Sequence, residues 1–375
     1  MKILVLNAGS SSLKISLFEP DSGPNPLWEG DSGIDGDEGA DSKANLDALL
    51  ASHKPVDAVG HRVVHGGSLF RESTRITPEV KTAIGQLKEL APGHNALELE
   101  GIEAAERTFG PETPQVAVFD TAFHSTLAPE AYTYPGPYEW VDQGIRRYGF
   151  HGISHRYTSR RAAEILSRDL KSLRLITCHL GNGCSLAAIR DGKSVDTTMG
   201  FTPLDGLMMG SRSGSVDPGI LLYLLNHRGH DADQLSRTLN RESGLAGISG
   251  VSEDMRQILT AMAQGHERAK LAFDMYVHSV RSHIGAMLGS LGGLDGLVFT
   301  AGVGENCAPL RAAVCDGLEF LGIKLDAAKN GRSPADENIA ATDSALPVLI
   351  IHTRENWEIA QECRNILRLC PPTRS

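Results

Sequence analysis

The sequence predicts an α/β protein built from a duplicated half, and three observations carry that prediction. Strand-like and helix-like segments alternate along all 375 residues, the mixture expected where helices cover sheets. The stretch "KILVLNAGSSSLKISLFE" at 2–19 reads as strand, polar glycine loop, strand, and "LRLITCHLGNGCSLAAIRDG" at 173–192 reads the same way. A unit that recurs after about half the chain predicts two related domains, each turning one loop toward a shared cleft. Two strand-turn-strand units also arise by chance in mixed folds, because Gly and Ser are ordinary hairpin-turn residues.

The remaining elements follow in chain order. Residues 20–43, "PDSGPNPLWEGDSGIDGDEGADSK", form an acidic, glycine-rich excursion that lacks the alternate Asp/Asn spacing of a calcium loop and predicts a solvated loop. A strand is expected at 56–64, helices at 79–90 and 97–108, and a strand at 115–119. Helical patterns follow at 156–170, 218–228, 253–264 and 267–291, then a strand at 296–300 and another at 347–351. Between the strand "DGLVFTAG" and the helical "PLRAAVCDGLEFLG", Gly302-Val303-Gly304-Glu305-Asn306 reads as a glycine loop, which turns backbone N–H groups and a helix dipole toward an anion. It is not a dinucleotide fingerprint, since the third glycine would fall on Cys307, and no segment matches GxxxxGK[ST]. "TRENWEIAQE" reads as a helix start.

Composition narrows the function. With 41% hydrophobic and 22% charged residues the chain is an ordinary globular protein, and its length suits two or three domains. The formal net charge of −10 repels nucleic acid and anionic membranes. An anionic substrate would therefore need positive charge gathered locally. Six cysteines, with no CxxC pair and no zinc spacing, read as free thiols of a reducing compartment. "MKILVL" enters a strand directly and no apolar run reaches membrane-spanning length, so a cytoplasmic location is expected.

Positive and hydrogen-bonding groups do gather beside glycines. They stand in "GHRVVHGG" (60–67), "PGHN" (92–95), "FDTAFH" (119–124), "YGFHGISH" (148–155) and "MGSRSG" (209–214). A lone histidine is usually a satisfied core or surface group, and Asp120 at a strand end could simply cap a turn. Glu355 could simply favour a helix N-terminus. Repeated His and Arg beside small residues in so acidic a chain fits convergence on an anion.

"NAGSSSLK", "GHRVVHGG", "FDTAFH", "YGFHGISH", "HLGNG", "MGSRSGSVDPG" and "TAGVGEN", in that order from residue 2 to about 362, resemble the signature blocks of the acetate kinase family. The resemblance implies a duplicated ribonuclease-H-like (actin-like ATPase) fold with ATP in the cleft, and places residues 1–148 with 356–375 in the first domain and 149–355 in the second, the nucleotide-binding and dimerising one. It implies reversible transfer of the ATP γ-phosphoryl group to acetate, giving acetyl phosphate and ADP, in a homodimer. By the same resemblance Arg62 and Arg212 clamp the carboxylate and the transferring phosphoryl group, His151 and His179 contact that group, and Asp120 lies near the metal or the nucleophile. Val64, Gly93, His94, Phe150 and Pro203 line or support the substrate pocket. Ser10, Ser12 and Lys14, His179-Leu180-Gly181-Asn182-Gly183, and Gly302-Val303-Gly304-Glu305-Asn306 hold ATP. Asn7 and Glu355 help to place Mg²⁺, for which Mn²⁺ can substitute.

The chain departs from the family pattern at Gly93, where Leu is usual, at Ala96, and at Arg354-Glu355-Asn356. A missing Leu side chain would enlarge the pocket, and an added CH₂ is worth about 0.8 kcal/mol when buried, so a propionate- or butyrate-preferring kinase is the alternative. An actin- or Hsp70-like switch ATPase is the remote one.

Overall fold

Two six-stranded mixed sheets carry the fold in this computed structural model, which describes residues 1–9, 12–33, 40–87 and 92–369, the side chains of 12, 32–33, 40–45, 92–96 and 369 excepted. The first sheet comprises β1 (Ile3–Ala8), β2 (Ser12–Phe18), β3 (Trp28–Gly33), β4 (Ala58–Val63), β5 (Thr74–Arg75) and β6 (Gln115–Phe119). The second comprises β7 (Arg174–Leu180), β8 (Cys184–Arg190), β9 (Lys193–Thr197), β10 (Gly296–Thr300), β11 (Glu337–Asn338) and β12 (Val348–Ile350). Their orders are β3-β2-β1-β4-β6-β5 and β9-β8-β7-β10-β12-β11. Shifting every strand number by six turns one order into the other, so the repeat read from 2–19 and 173–192 extends to whole sheets.

The pairing directions repeat as well. β1–β2, β2–β3 and β5–β6 are antiparallel while β1–β4 and β4–β6 are parallel. In the second sheet β7–β8, β8–β9 and β11–β12 are antiparallel and β7–β10 and β10–β12 parallel. The chain forms two compact units, Met1–Ser125 with Gly152–Tyr157 and Arg354–Ser375, and Thr126–His151 with Thr158–Thr353.

In the first unit side-chain alternation along β1 sorts the core. Ile3 and Val5 face Ile359, Ala360 and Cys363 of the helix Glu355–Leu369. Leu4 and Leu6 face Leu46 and Leu50 of the helix Ala40–Ala51 and Ala104 and Ala105 of the helix Pro92–Phe109. All six residues of β1 are buried, which is why the stretch reads as a nearly continuous apolar run. In the second unit the 25-residue helix Glu267–Leu291 turns Tyr276, Val277, Val280 and Ile284 inward and lies against β8.

Three expectations need correction. The excursion 20–43 is not all loop: it contains β3, whose polar sequence suits its place at the edge of the sheet, where β2 is its paired strand among the described residues. Gly302–Asn306 is not a loop either. It is the body of a short helix, Ala301–Asn306, which starts abruptly because Ala301 takes a left-handed backbone at φ 66° directly after β10. The helix expected at 156–170 is Gly152–Ile165, its start set by His151 at φ 56°. Among the described residues no helix is long and apolar enough to cross a membrane.

Candidate active site

In the first unit the site is built at the ends of β1, β4 and β6. Arg62 lies on β4 and Asp120 follows β6, two neighbouring parallel strands. The Arg62 Nε and Nη2 both donate to Asp120 Oδ2, at 3.2 and 2.6 Å, and Nη1 donates to the carbonyl of Ala8 at 2.8 Å. Asp120 is itself pinned: its N–H donates to Val63 O at 2.9 Å and its carbonyl accepts from Gly152 N–H at 2.9 Å. A side chain at 152 would run into that carbonyl, so only glycine permits the approach. Burial opposes charge on Arg62, but the carboxylates of Asp120 and Glu355, joined by Glu98 once it ionises, outweigh it and raise its pKa. The guanidinium is a permanent cation.

Beside this pair, Asn7 at the end of β1 donates from Nδ2 to Asn356 Oδ1 at 2.7 Å and, more weakly, to Glu355 Oε2 at 3.5 Å. Asn356 in turn donates to Ser16 Oγ at 2.7 Å. Val64, buried, donates its N–H to Glu98 Oε1 at 2.9 Å.

The second unit holds a separate cluster. His151 and His179 stack with ring centroids 4.1 Å apart and planes 19° apart, and His151 Nδ1 lies 2.9 Å from Ser185 Oγ. His179 reaches this position because β7 ends there, opposite Ser185 of β8. The hairpin Gly181–Gly183 follows; a methyl on Gly183 would stand 3.4 Å from both Arg212 Nη1 and the His151 ring. Gly210 donates its N–H to Asn182 O at 3.1 Å, and Arg212 Nη1 donates to Pro203 O at 3.3 Å. Phe150, which precedes His151 in the chain, is buried. On the short helix Ala301–Asn306, Glu305 Oε1 accepts from Ala301 N–H and Thr353 N–H, and Oε2 lies 2.7 Å from His352 Nδ1. Burial raises the Glu305 pKa, but His352 and the two N–H donors more than offset it, and the net shift is downward.

A sequence model of the acetokinase family matches residues 38–361. The chain is 57% identical to the acetate kinase of Gloeobacter violaceus over 404 aligned positions that cover 98% of this chain and all of that one. The chain belongs to the acetokinase family. Among solved structures, the acetate kinase of Porphyromonas gingivalis superposes with a TM-score of 0.89 at 40% identity, covering 98% of this chain and 99% of that one. A propionate kinase from Francisella tularensis gives 0.89 at 39%, covering 97% and 99%.

Within this acetokinase fold, Asn7, Arg62, Val64, Asp120 and Glu355 gather in the first unit, and His151, His179, Leu180–Gly183, Pro203 and Arg212 in the second. Lys14 is exposed on β2, opposite Asn7 in register. Ser10 lies outside the described residues, as do the side chains of Ser12 and His94; Gly93 and His94 stand in the first turn of Pro92–Phe109. Sequence reading missed Glu98 and Ser185, because a helical Glu and a strand Ser carry no motif of their own. Of Asn356 it noted only the departure from pattern, not the bond to Asn7.

Proposed function

We propose that the chain transfers the γ-phosphoryl group of ATP reversibly to acetate, giving acetyl phosphate and ADP by direct in-line displacement. The observation that carries this reading is the setting of Arg62. Among the described residues, three of its five N–H donors meet Asp120 and Ala8, leaving one on each terminal nitrogen, the pair that a substrate carboxylate accepts in a fork. Acetate, with a reference pKa of about 4, is ionised at pH 7 and needs no general base. The obstacle is repulsion between two anions, roughly 4 kcal/mol for unit charges 4 Å apart at an effective dielectric of 20. Arg62 opposes it at the carboxylate, with Val64, Phe150 and Pro203 toward the methyl group. Arg212, His151 and His179 place positive and hydrogen-bonding groups at the transferring phosphoryl, and Ser185 fixes the orientation of His151. The 181–183 hairpin and Gly302–Asn306 bind the nucleotide.

Asn7 and Glu355 suit a magnesium ion by the chemistry of their donors. The Asn7 amide nitrogen is turned to Asn356 and Glu355, and its side-chain oxygen and the Glu355 carboxylate are hard donors of the kind Mg²⁺ and Mn²⁺ take together with phosphates and water. When bound, the ion would neutralise phosphate charge. We assign the unit Met1–Ser125 with Gly152–Tyr157 and Arg354–Ser375 to the first of the two duplicated domains and Thr126–His151 with Thr158–Thr353 to the nucleotide-binding and dimerising one, in a cytoplasmic homodimer.

The test is acyl phosphate formation from Mg-ATP, trapped as the hydroxamate, with acetate, propionate and butyrate, in the parent and in Arg62→Ala and Arg212→Ala. The expected result is a maximum at acetate and a fall of 10²-fold or more in both variants, the order of loss for a transition-state donor. A maximum at propionate would mean that Gly93 has widened the pocket and would place the chain beside the Francisella relative. ATP hydrolysis without acyl phosphate from any acid would overturn the reading.

A further inference from the structure

One buried acid next to this site is used by none of the roles above. Glu98, on the helix Pro92–Phe109, is 2% exposed. Its Oε1 accepts the Val64 N–H at 2.9 Å, while its Oε2 is buried with no hydrogen-bond partner among the described residues. Arg62 gives its described hydrogen bonds to Asp120 and Ala8 instead. A carboxylate so placed would hold a full charge on a single N–H, a costly arrangement that the neutral acid avoids.

We propose that Glu98, as the neutral acid, is a positioning residue: through the Val64 N–H it fixes the end of β4, and so sets Arg62 and Val64 for the substrate carboxylate. Val64 is two residues past Arg62, so one bond from the helix holds the backbone from which the Arg62 side chain starts. The charged groups that act on Glu98 are Arg62 on β4 and Asp120 after β6; His94 stands one turn earlier on its own helix, its side chain outside the described residues. Burial raises the Glu98 pKa to about 8, with the Val64 N–H and Arg62 pulling the other way. Above that pH a new anion forms beside Arg62 and competes with the substrate for it.

This inference rests on the carboxylate-kinase reading, and its test keeps the two apart. The KM for acetate and the KM for ATP are measured from pH 7 to 9 in the parent, Glu98→Gln and Glu98→Ala. In the parent the KM for acetate should rise roughly tenfold over that range, the response to one competing charge, with the KM for ATP flat. Glu98→Gln, which accepts from Val64 but cannot ionise, should lose the rise. Glu98→Ala should show a high acetate KM at every pH. An equal rise in the parent and Glu98→Gln overturns the proposal. Infrared difference spectra between parent and Glu98→Gln supply a second readout that needs no turnover. A protonated-carboxyl C=O band at pH 7, lost near pH 8, supports the neutral acid, and its absence sinks it. A parent that shows the band but makes no acyl phosphate overturns the kinase reading alone.

Discussion

His61 and Arg62 are adjacent basic residues on one strand, and the fold treats them oppositely. Side chains alternate along β4, so where Arg62 meets Asp120, His61 turns away into the interior, 2% exposed, with Nε2 2.6 Å from Gln115 Oε1. Burial pushes its pKa down to about 4, only partly countered by Gln115. The unfolded chain, with histidine near 6.5, binds a proton between pH 4 and 6.5 that the folded chain refuses, so stability falls as pH drops through that window. At about 1.4 kcal/mol per unit, the loss is about 3 kcal/mol. Denaturant midpoints at pH 7 and 4.5 should therefore differ more in the parent than in His61→Gln, and equal differences would exclude His61 as the cause. Glu98 has the opposite sign. Its pKa is raised in the fold, so its contribution is present below about 4.5 and is lost as pH rises toward 8; Glu98→Gln should gain stability over the parent across that range. The block "GHRVVHGG" was legible as a site, but which of its residues faces the ligand was not, because that depends on the register of β4 against β6.

At the scale of elements, the hairpins of β1–β2 and β7–β8 could be read from sequence because each has its turn residues between its own apolar runs. The short helix Ala301–Asn306 could not, because a side chain outside it, on the following helix Ala308–Asp316, holds it. Arg311, fully buried, donates through Nη1 to the carbonyls of Gly304 and Glu305 at 2.8 Å, through Nε to Asn330 Oδ1 at 2.8 Å, and through Nη2 to Asn330 O and Ser333 Oγ. All five donors are met, and the cation stands where the orphan carbonyls of two helix ends converge. Arg311→Met would leave those acceptors buried without donors, at a cost of roughly 3 kcal/mol, lowering Tm by on the order of 10 °C for a unit of this size. In the folded fraction the KM for ATP should rise while that for acetate stays, since the helix carries the proposed nucleotide residues. A change in the acetate KM alone would refute that division. β3 escaped the sequence reading for a related reason: an edge strand needs no apolar alternation on its open side, and its polar run looks like a loop until β2 supplies a partner.

The whole molecule shows why the duplication was visible while the surface was not. Strand order and pairing follow from apolar runs that each half repeats, but exposure is a property of the assembled unit. The helix Pro218–His227, "PGILLYLLNH", buries none of its residues within the chain: Ile220 is 50% exposed, Leu222 60%, and Tyr223 and Leu225 are exposed beside them. Leu271 and Met275, one turn apart on Glu267–Leu291, add to the exposed apolar side chains of the same unit. An all-round apolar helix in water is unusual unless a partner covers it, and the homodimer proposed above supplies one in a second copy of the chain, through a self-complementary contact about a two-fold axis. Every residue in such a contact appears twice, so one acidic substitution places two charges in it. Leu222→Asp should therefore shift the sedimentation mass from two chains to one at micromolar concentration, with the circular dichroism of the parent retained. Arg256→Asp, on an exposed arginine paired with Asp254, should leave the mass at two chains. A parent that sediments as one chain, or a Leu222→Asp variant that stays at two, would remove this helix from the interface.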